Sequence, residues 1–410
     1  MTDKDTEPVE LKRSLSLPML TFYGLGTIVG GGFYALSGKV AGAAGMLAPG
    51  AFLLASLIAL FSALSFAELS ARFPVSAGEA QYAWEAFQLR WLSRLVGWMV
   101  IATGIVSAAT LADAFALLSQ RFVMLPSSLV VLAMVVFLGI FTAWGISESA
   151  WLAVGITAIE VGGLLLVLGF GLESLGEIPN RWRELTPSMA AADWIGLTMG
   201  AYLAFYSFVG FEDLVNVAEE VKEPRRNLPL AIIWSLVIAG CLYVCISLVL
   251  VLSATTDELE HSGSPLALVF KNHPAGGDVI TVIGMFAGIN GALVQVVMAS
   301  RVVYGLAKQG QAPAMFARVH PRTRTPLEAT ALITTLVLVL ALWLPLEALA
   351  KITSGILLAV YTLVNLSLWR VKRRTPHPPP GSPCYPIWLP LAGAVVCSLF
   401  LVAQVLLSIS

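Results

Sequence analysis

Long apolar runs separated by short polar connections are the dominant pattern along the chain. A run of about 18 or more apolar residues is long enough to cross a bilayer core of about 30 Å as a helix. Eleven such runs can be counted, over 18–43, 48–71, 94–119, 126–146, 150–173, 194–220, 229–253, 278–307, 326–344, 346–369 and 386–408. Proline and glycine punctuate the connections, among them Pro49, Pro126, Pro187, Pro229, Pro274, Pro326 and Pro345. The run Pro376-His377-Pro378-Pro379-Pro380 reads as an extended spacer. In lipid every backbone polar group must be satisfied internally, so the pattern predicts an all-α polytopic membrane protein with about eleven transmembrane helices. Between segments two and three, Ser76 to Gln88 reads as a short amphipathic helix along the membrane interface, with Glu79, Gln81, Glu85 and Gln88 on its polar face. An extension of segment three is the other reading.

Two of the eleven runs contain a flaw. Gly24-Leu25-Gly26-Thr27-Ile28-Val29-Gly30-Gly31-Gly32-Phe33 places five glycines within nine residues of segment one. Each costs about 1 kcal/mol relative to alanine in a helix interior. Unwound backbone is tolerated at membrane depth only where it lines a cavity or is buried in protein. Segment six carries a second interruption, Phe205-Tyr206-Ser207-Phe208-Val209-Gly210-Phe211-Glu212. The two flaws occupy matching places if the first ten segments are two repeats of five, and paired breaks of this kind point to the site of a secondary transporter. At such a break one half-helix ends in free carbonyls and the next begins with free N–H groups. The N–H groups attract a carboxylate and the carbonyls attract an ammonium, so the pair suits a zwitterionic α-amino acid. Close helix packing is the alternative use for the glycines, and Gly38, Gly42 and Gly45 fit it well.

Composition removes several function classes. The chain of 410 residues is 58% hydrophobic and 12% charged, with mean hydropathy +0.84, whereas soluble domains carry about 25% charged residues. A net charge of −1 offers no surface for nucleic acid. The four histidines fall in connections without metal-ligand spacing, and no cofactor is expected. Cys241, Cys245 and Cys397 read as packing residues within apolar segments, with Cys384 near a loop. No catalytic cluster of Ser, His and Asp or of paired acids stands out, so an enzyme is not expected. With the N-terminus in the cytoplasm, 17 Lys and Arg fall inside and 6 outside, leaving Arg301 within a segment. The mixed-charge tail 1–17 is then cytoplasmic, the protein is a multi-pass protein of the cytoplasmic membrane, and the odd segment count puts the C-terminus outside.

Three stretches carry a family resemblance. The first is the glycine run with Ser37-Gly38. The second runs from Phe208-Val209-Gly210-Phe211-Glu212 through Ala218-Glu219-Glu220-Val221-Lys222-Glu223-Pro224-Arg225-Arg226-Asn227-Leu228-Pro229. The third is Ser300-Arg301-Val302-Val303-Tyr304-Gly305-Leu306-Ala307-Lys308-Gln309-Gly310, continuing through Pro313 to Pro326. With these in order over about residues 15–370, the chain resembles the amino acid–polyamine–organocation (APC) superfamily, in its cationic-amino-acid-transporter-like branch. The resemblance implies a LeuT-like five-plus-five inverted repeat with broken helices one and six, working by alternating access. The ten-helix core would span 18–370, with repeats at about 18–173 and 194–370, followed by the spacer and one further helix over 371–410. The substrate carboxylate would meet the N–H groups of Gly30, Gly31 and Gly32. The α-ammonium would meet carbonyls of Ile28, Tyr206, Ser207 and Val209. Phe205, Tyr206 or Phe208 would act as an aromatic gate, ordinary packing being the competing role for each. Members usually have twelve or more segments, where eleven count here. The loop from Arg121 to Ser127 lacks the cysteine with which some members hold a glycoprotein, so no disulfide-linked subunit is expected.

Glu160 bears on energisation, because an intramembrane carboxyl is a functional candidate by default. Through the pattern Gly145-Ile146-Ser147-Glu148-Ser149-Ala150, the resemblance aligns Glu160 with a lysine that replaces sodium in proton-coupled relatives. Three roles stay open: a proton-exchanging carboxyl, a structural pair with Arg301, or a cation ligand with Ser300 and segment-one carbonyls. Glu212 and Asp213 adjoin the second break and are within reach of a cationic side chain, while Asn290 and Gln295 are candidates to line the path. The expectation is a proton-coupled symporter of amino acids. An exchanger, a carrier of polyamines or other organic cations, and a non-transporting amino acid sensor are the alternatives.

Overall fold

The structure, a computed structural model, describes residue 13 and residues 15–75, 78–144, 150–308, 310–323 and 325–409. Residues 1–12 of the expected cytoplasmic tail lie outside the described residues. So do Ser76 at the start of the expected interfacial helix, the Gly145-to-Ser149 pattern, Gln309 and Arg324.

Helices account for every one of the eleven expected segments. Segment one is two helices, α1 (Leu17–Ile28) and α2 (Gly31–Ala44), and segment two is α3 (Ala48–Arg72). The short α4 (Gly78–Phe87) follows as its own element, separate from α5 (Arg90–Ser119), as the amphipathic reading expects. Next come α6 (Ser127–Trp144), α7 (Ala150–Phe170), the four-residue α8 (Ile178–Arg181) and α9 (Ala191–Tyr206). A 3-10 segment, Phe211–Glu220, continues α9 beyond its break. The remainder is α10 (Pro224–Ser253), the short α11 (Thr256–His261), α12 (Pro274–Lys308), α13 (Leu327–Trp343), α14 (Leu346–Arg374) and α15 (Trp388–Ile409). Among the described residues, eight spans are long and apolar enough to cross a membrane, or nine with the pair Val154–Phe170 and Leu172–Arg181, which bends by 48°. Leu17–Ile28 and Leu327–Trp343 are shorter apolar helices. The protein is thus an all-α polytopic membrane protein.

Both breaks form where the sequence interrupts the helix. At Val29 the chain leaves helical geometry, and the N-cap of α2, Gly30, is extended (φ −85°, ψ 177°). At the end of α9 the bonds tighten to the i−3 pattern: Ser207, Phe208 and Val209 donate to Ala204, Phe205 and Tyr206 at 2.9, 3.0 and 3.1 Å. Gly210 then takes φ +127°, a conformation that residues with a Cβ rarely adopt. The two breaks touch. The Thr27 hydroxyl donates to the Gly210 carbonyl at 2.9 Å and is equally close to the Gly24 carbonyl.

Aromatic side chains fill the core behind the first break. Phe33 stacks on Tyr243 with centroids 4.0 Å apart, and Phe52 and Phe208 pack edgewise or tilted against these rings. Helix α15 belongs to the same packed unit. Asn365 of α14 accepts from Ser65 at 2.6 Å and donates to Ser62 at 3.0 Å, and Ser62 also meets Cys397 of α15 at 3.4 Å. Cys397 is buried, as a packing residue should be. Cys241 and Cys245 are not: they sit on the outward face of α10, four residues apart and both exposed. An apolar segment in a membrane protein can present cysteine to lipid as readily as to protein, which the sequence pattern does not separate.

Candidate functional site

A cavity lies where the two breaks face each other. Its floor is the first break, with Gly26, Thr27, Ile28, Gly30, Gly32 and Phe33. Tyr206, Ser207, Val209 and Asp213 from the second break line it opposite, and α5, α7 and α12 close the sides with Ser107, Thr157, Asn290 and Gln295 among others. Six of the seven residues expected to bind substrate therefore line one cavity. Gly31 is the exception. A Cβ there would come within 2.6 Å of the Gly288 Cα, so this glycine lets α2 pack directly against the backbone of α12.

The first break presents the N-terminus of α2, a helix of 14 residues whose Gly30 cap supplies no side-chain acceptor. Its first N–H groups lack intrahelical partners by geometry and carry the positive end of the helix dipole. This is an anion-binding arrangement, and at Gly30 no neighbouring atom lies within 4 Å of where a Cβ would stand. The carbonyl end is more occupied. Ile28 O accepts from Gly30 N at 2.8 Å and from the Tyr243 hydroxyl at 2.9 Å, and Tyr206 O accepts from Val209 N at 3.1 Å.

Of the three aromatic candidates, only Tyr206 reaches the cavity. Its ring lies against Gly32, where a Cβ would stand 2.6 Å from Cε1. Its hydroxyl is held by Ser107, 3.2 Å from the backbone carbonyl and 3.1 Å from Oγ. Phe205 instead packs edgewise on Tyr361 and Phe400, and Phe208 on Tyr243.

The acidic residues divide between two places. Glu160 is buried to 1% exposure on α7, and its backbone carbonyl accepts from Tyr34 at 2.9 Å. Its carboxyl lies near the phenols of Tyr34 and Tyr243, outside the cavity lining. The α7 side chain that faces the first break is Thr157, whose Oγ1 occupies the space beside Gly26. Ser300 is buried with its hydroxyl on Val297 O at 2.9 Å, and Arg301 is exposed. Glu212, Asp213 and Glu79 gather at the second break. Glu212 Oε2 accepts from Gly210 N at 2.9 Å and from the Tyr361 hydroxyl at 2.8 Å. Asp213 Oδ2 accepts from Gln295 Nε2 at 3.2 Å. Glu79 is on α4, outside the spanning helices, and burial pushes its carboxyl up to about 7 with the nearby Glu212 charge adding to the shift. Among the described residues, no three His, Cys, Asp or Glu side chains come together to hold a metal ion.

Ser107 and Thr157 are lining residues that the sequence pattern did not single out, and no local signal marks them. Asp213, named with Glu212 for its place beside the second break, also lines the cavity, while Glu212 does not.

Comparisons with known proteins agree on the class. The sequence profile of the amino acid permease family matches residues 15–409. Cationic amino acid transporter 4 from Mus musculus is 31% identical over 93% of this chain, and its Homo sapiens counterpart is also 31% identical over 93%. This chain spans 63% of the length of each of those two relatives. The branched-chain amino acid permease BcaP of Bacillus subtilis is 28% identical over 96% of this chain and 88% of its own length.

Proposed function

This chain belongs to the amino acid permease family, and we propose that it is a secondary active transporter of α-amino acids, working by alternating access and proton symport. The observation that carries the reading is the single cavity shared by the α2 N-terminus and the broken end of α9. One wall offers backbone N–H groups and the other offers carbonyls, so the two ends of a zwitterion find complementary charge at a separation of a few bonds.

In this reading the substrate carboxylate rests on the N–H groups of Gly31 and Gly32 at the first turn of α2, and on that of Gly30 once it releases the Ile28 carbonyl, with Gly31 contributing its backbone N–H from behind the lining. The α-ammonium is taken by the carbonyls of Tyr206, Ser207 and Val209, and by Ile28 when the Tyr243 hydroxyl gives way. Tyr206, tethered to Ser107, covers the carboxylate end. The two breaks are hinges in matching halves of a LeuT-like inverted repeat, and the Thr27–Gly210 contact links their movement. The positive-inside bias supports a cytoplasmic N-terminus in the cell membrane.

Glu160 is the proposed coupling carboxyl. It is buried behind the first break, where its backbone carbonyl accepts from the Tyr34 hydroxyl and its carboxyl lies near Tyr243, whose hydroxyl bonds Ile28 O. Proton-driven accumulation of amino acids by the reconstituted protein is the test, with Glu160→Gln beside the wild type. Wild-type liposomes should concentrate substrate when the pH gradient is imposed, while the variant should bind substrate and lose the pH dependence. Full proton-driven accumulation by the variant would remove Glu160 from the coupling role, and no uptake by wild type under any gradient would sink the transporter reading.

A further inference from the structure

Asp213 has an uncommon position for a carboxylate. It is 6% exposed, lines the cavity, and among the described residues accepts one hydrogen bond, from Gln295 at 3.2 Å. Its neighbour Glu212 accepts two and stands outside the lining. The groups that face Asp213 are Glu212 from its own turn, Glu79 from α4, Tyr361 from α14 and Gln295 from α12. None of them is a cation, and among the described residues none of the ion pairs includes Asp213.

The surrounding cavity wall is rich in acceptors. Ser207 Oγ and Gln295 Oε1 line the same cavity, are carried by residues 2% and 6% exposed, and make no hydrogen bond among the described residues. Asn290 Oδ1 is a third such acceptor on the lining. A carboxylate beside two amide oxygens and a hydroxyl that can accept suits a ligand that brings donors and one positive charge.

Alternating access requires this cavity to close on both sides at some point in the cycle. Closing it over a lone carboxylate is costly, because a buried charge needs a partner. Two partners can supply the charge: a proton from solvent, which neutralises the carboxylate, or an ammonium on the substrate side chain, which pairs with it. Resting on the transporter reading above, we propose that Asp213 is a charge-compensation site at which a side-chain ammonium takes the place of a proton. A neutral amino acid is then carried with one more proton than a dibasic one, whatever Glu160 contributes to both.

L-lysine and L-norleucine make the matched probes, since they differ at the end of the chain by the ammonium alone. Uptake of each into liposomes containing the full chain is measured with an internal pH dye at clamped membrane potential. The expected result is one more proton per norleucine than per lysine in the wild type. In Asp213→Asn that difference should vanish, and the lysine-to-norleucine uptake ratio should fall on the order of tenfold or more. Equal proton counts for the two substrates in the wild type would overturn the assignment without any variant. A difference that persists in Asp213→Asn would also overturn it. If the protein takes up other α-amino acids but neither of these two, this inference is overturned while the transporter reading stands; if it takes up no α-amino acid at all, both fall.

Discussion

Replacing Gly210 with alanine is expected to abolish amino acid uptake and to lower the melting temperature of the purified protein. Two independent costs add at this position. The backbone sits at φ +127°, where a side chain costs on the order of 1–3 kcal/mol. A Cβ would also strike the Thr27 carbonyl, which belongs to backbone and cannot rotate aside. Relieving the clash means separating the two broken helices, because Thr27 is also the residue whose hydroxyl bonds Gly210. The cavity is formed by that apposition, so binding should fail together with stability. Uptake assays and thermal unfolding in detergent read the two effects. An alanine variant with wild-type uptake would show that the breaks need not meet.

Replacing Glu68 with glutamine should destabilise the protein by about 3–5 kcal/mol, the scale for removing one partner of a buried ion pair. Glu68 is fully buried near the end of α3 and holds two cations: Arg72 at 2.7 Å and Lys372 of α14 at 2.6 Å. It also accepts from the Tyr385 N–H at 3.0 Å. The cations reach on to the chain that follows α14, Arg72 to the Thr375 carbonyl at 2.9 Å and Lys372 to the Tyr385 carbonyl at 2.7 Å. The cluster therefore fastens the proline-rich spacer, and through it α15, to the helical core. Glutamine would leave two buried positive charges facing each other. The variant should melt earlier and expose residues 375–386 to protease, and the double variant Glu68→Gln/Lys372→Met should recover part of the loss. Unchanged melting in the single variant would mean that the cluster contributes nothing to stability.

These two positions also mark how far the sequence is legible. Segment positions follow from runs of apolar residues, and the helices fall on them because hydropathy and helix length are local properties. The breaks were legible for the same reason: a glycine run and a Ser-Phe-Val-Gly stretch disfavour helix wherever they occur. Side-chain facing is different. Phe205, Tyr206 and Phe208 lie within one turn, and which of them enters the cavity depends on how α9 is rotated against α5 and α2. On α7, Thr157 and Glu160 are three residues apart on nearly one face, so a sequence alignment cannot decide which meets the first break. Gly31 shows the same limit at a single residue, packing against Gly288 while its neighbours on either side line the cavity. The Glu68–Arg72–Lys372 cluster joins residues about 300 positions apart, a pairing that only the assembled helices bring together.

The zwitterion site is tested most directly by thermal-shift and calorimetric binding with matched ligands on the purified protein. A panel of free α-amino acids should contain at least one that stabilises the protein in a saturable way. The amide of that amino acid, which lacks the carboxylate for the α2 N-terminus, and its N-acetyl derivative, which lacks the ammonium for the α9 carbonyls, should both fail to do so. Stabilisation by no free α-amino acid, or equal binding of the blocked derivatives, would contradict the account.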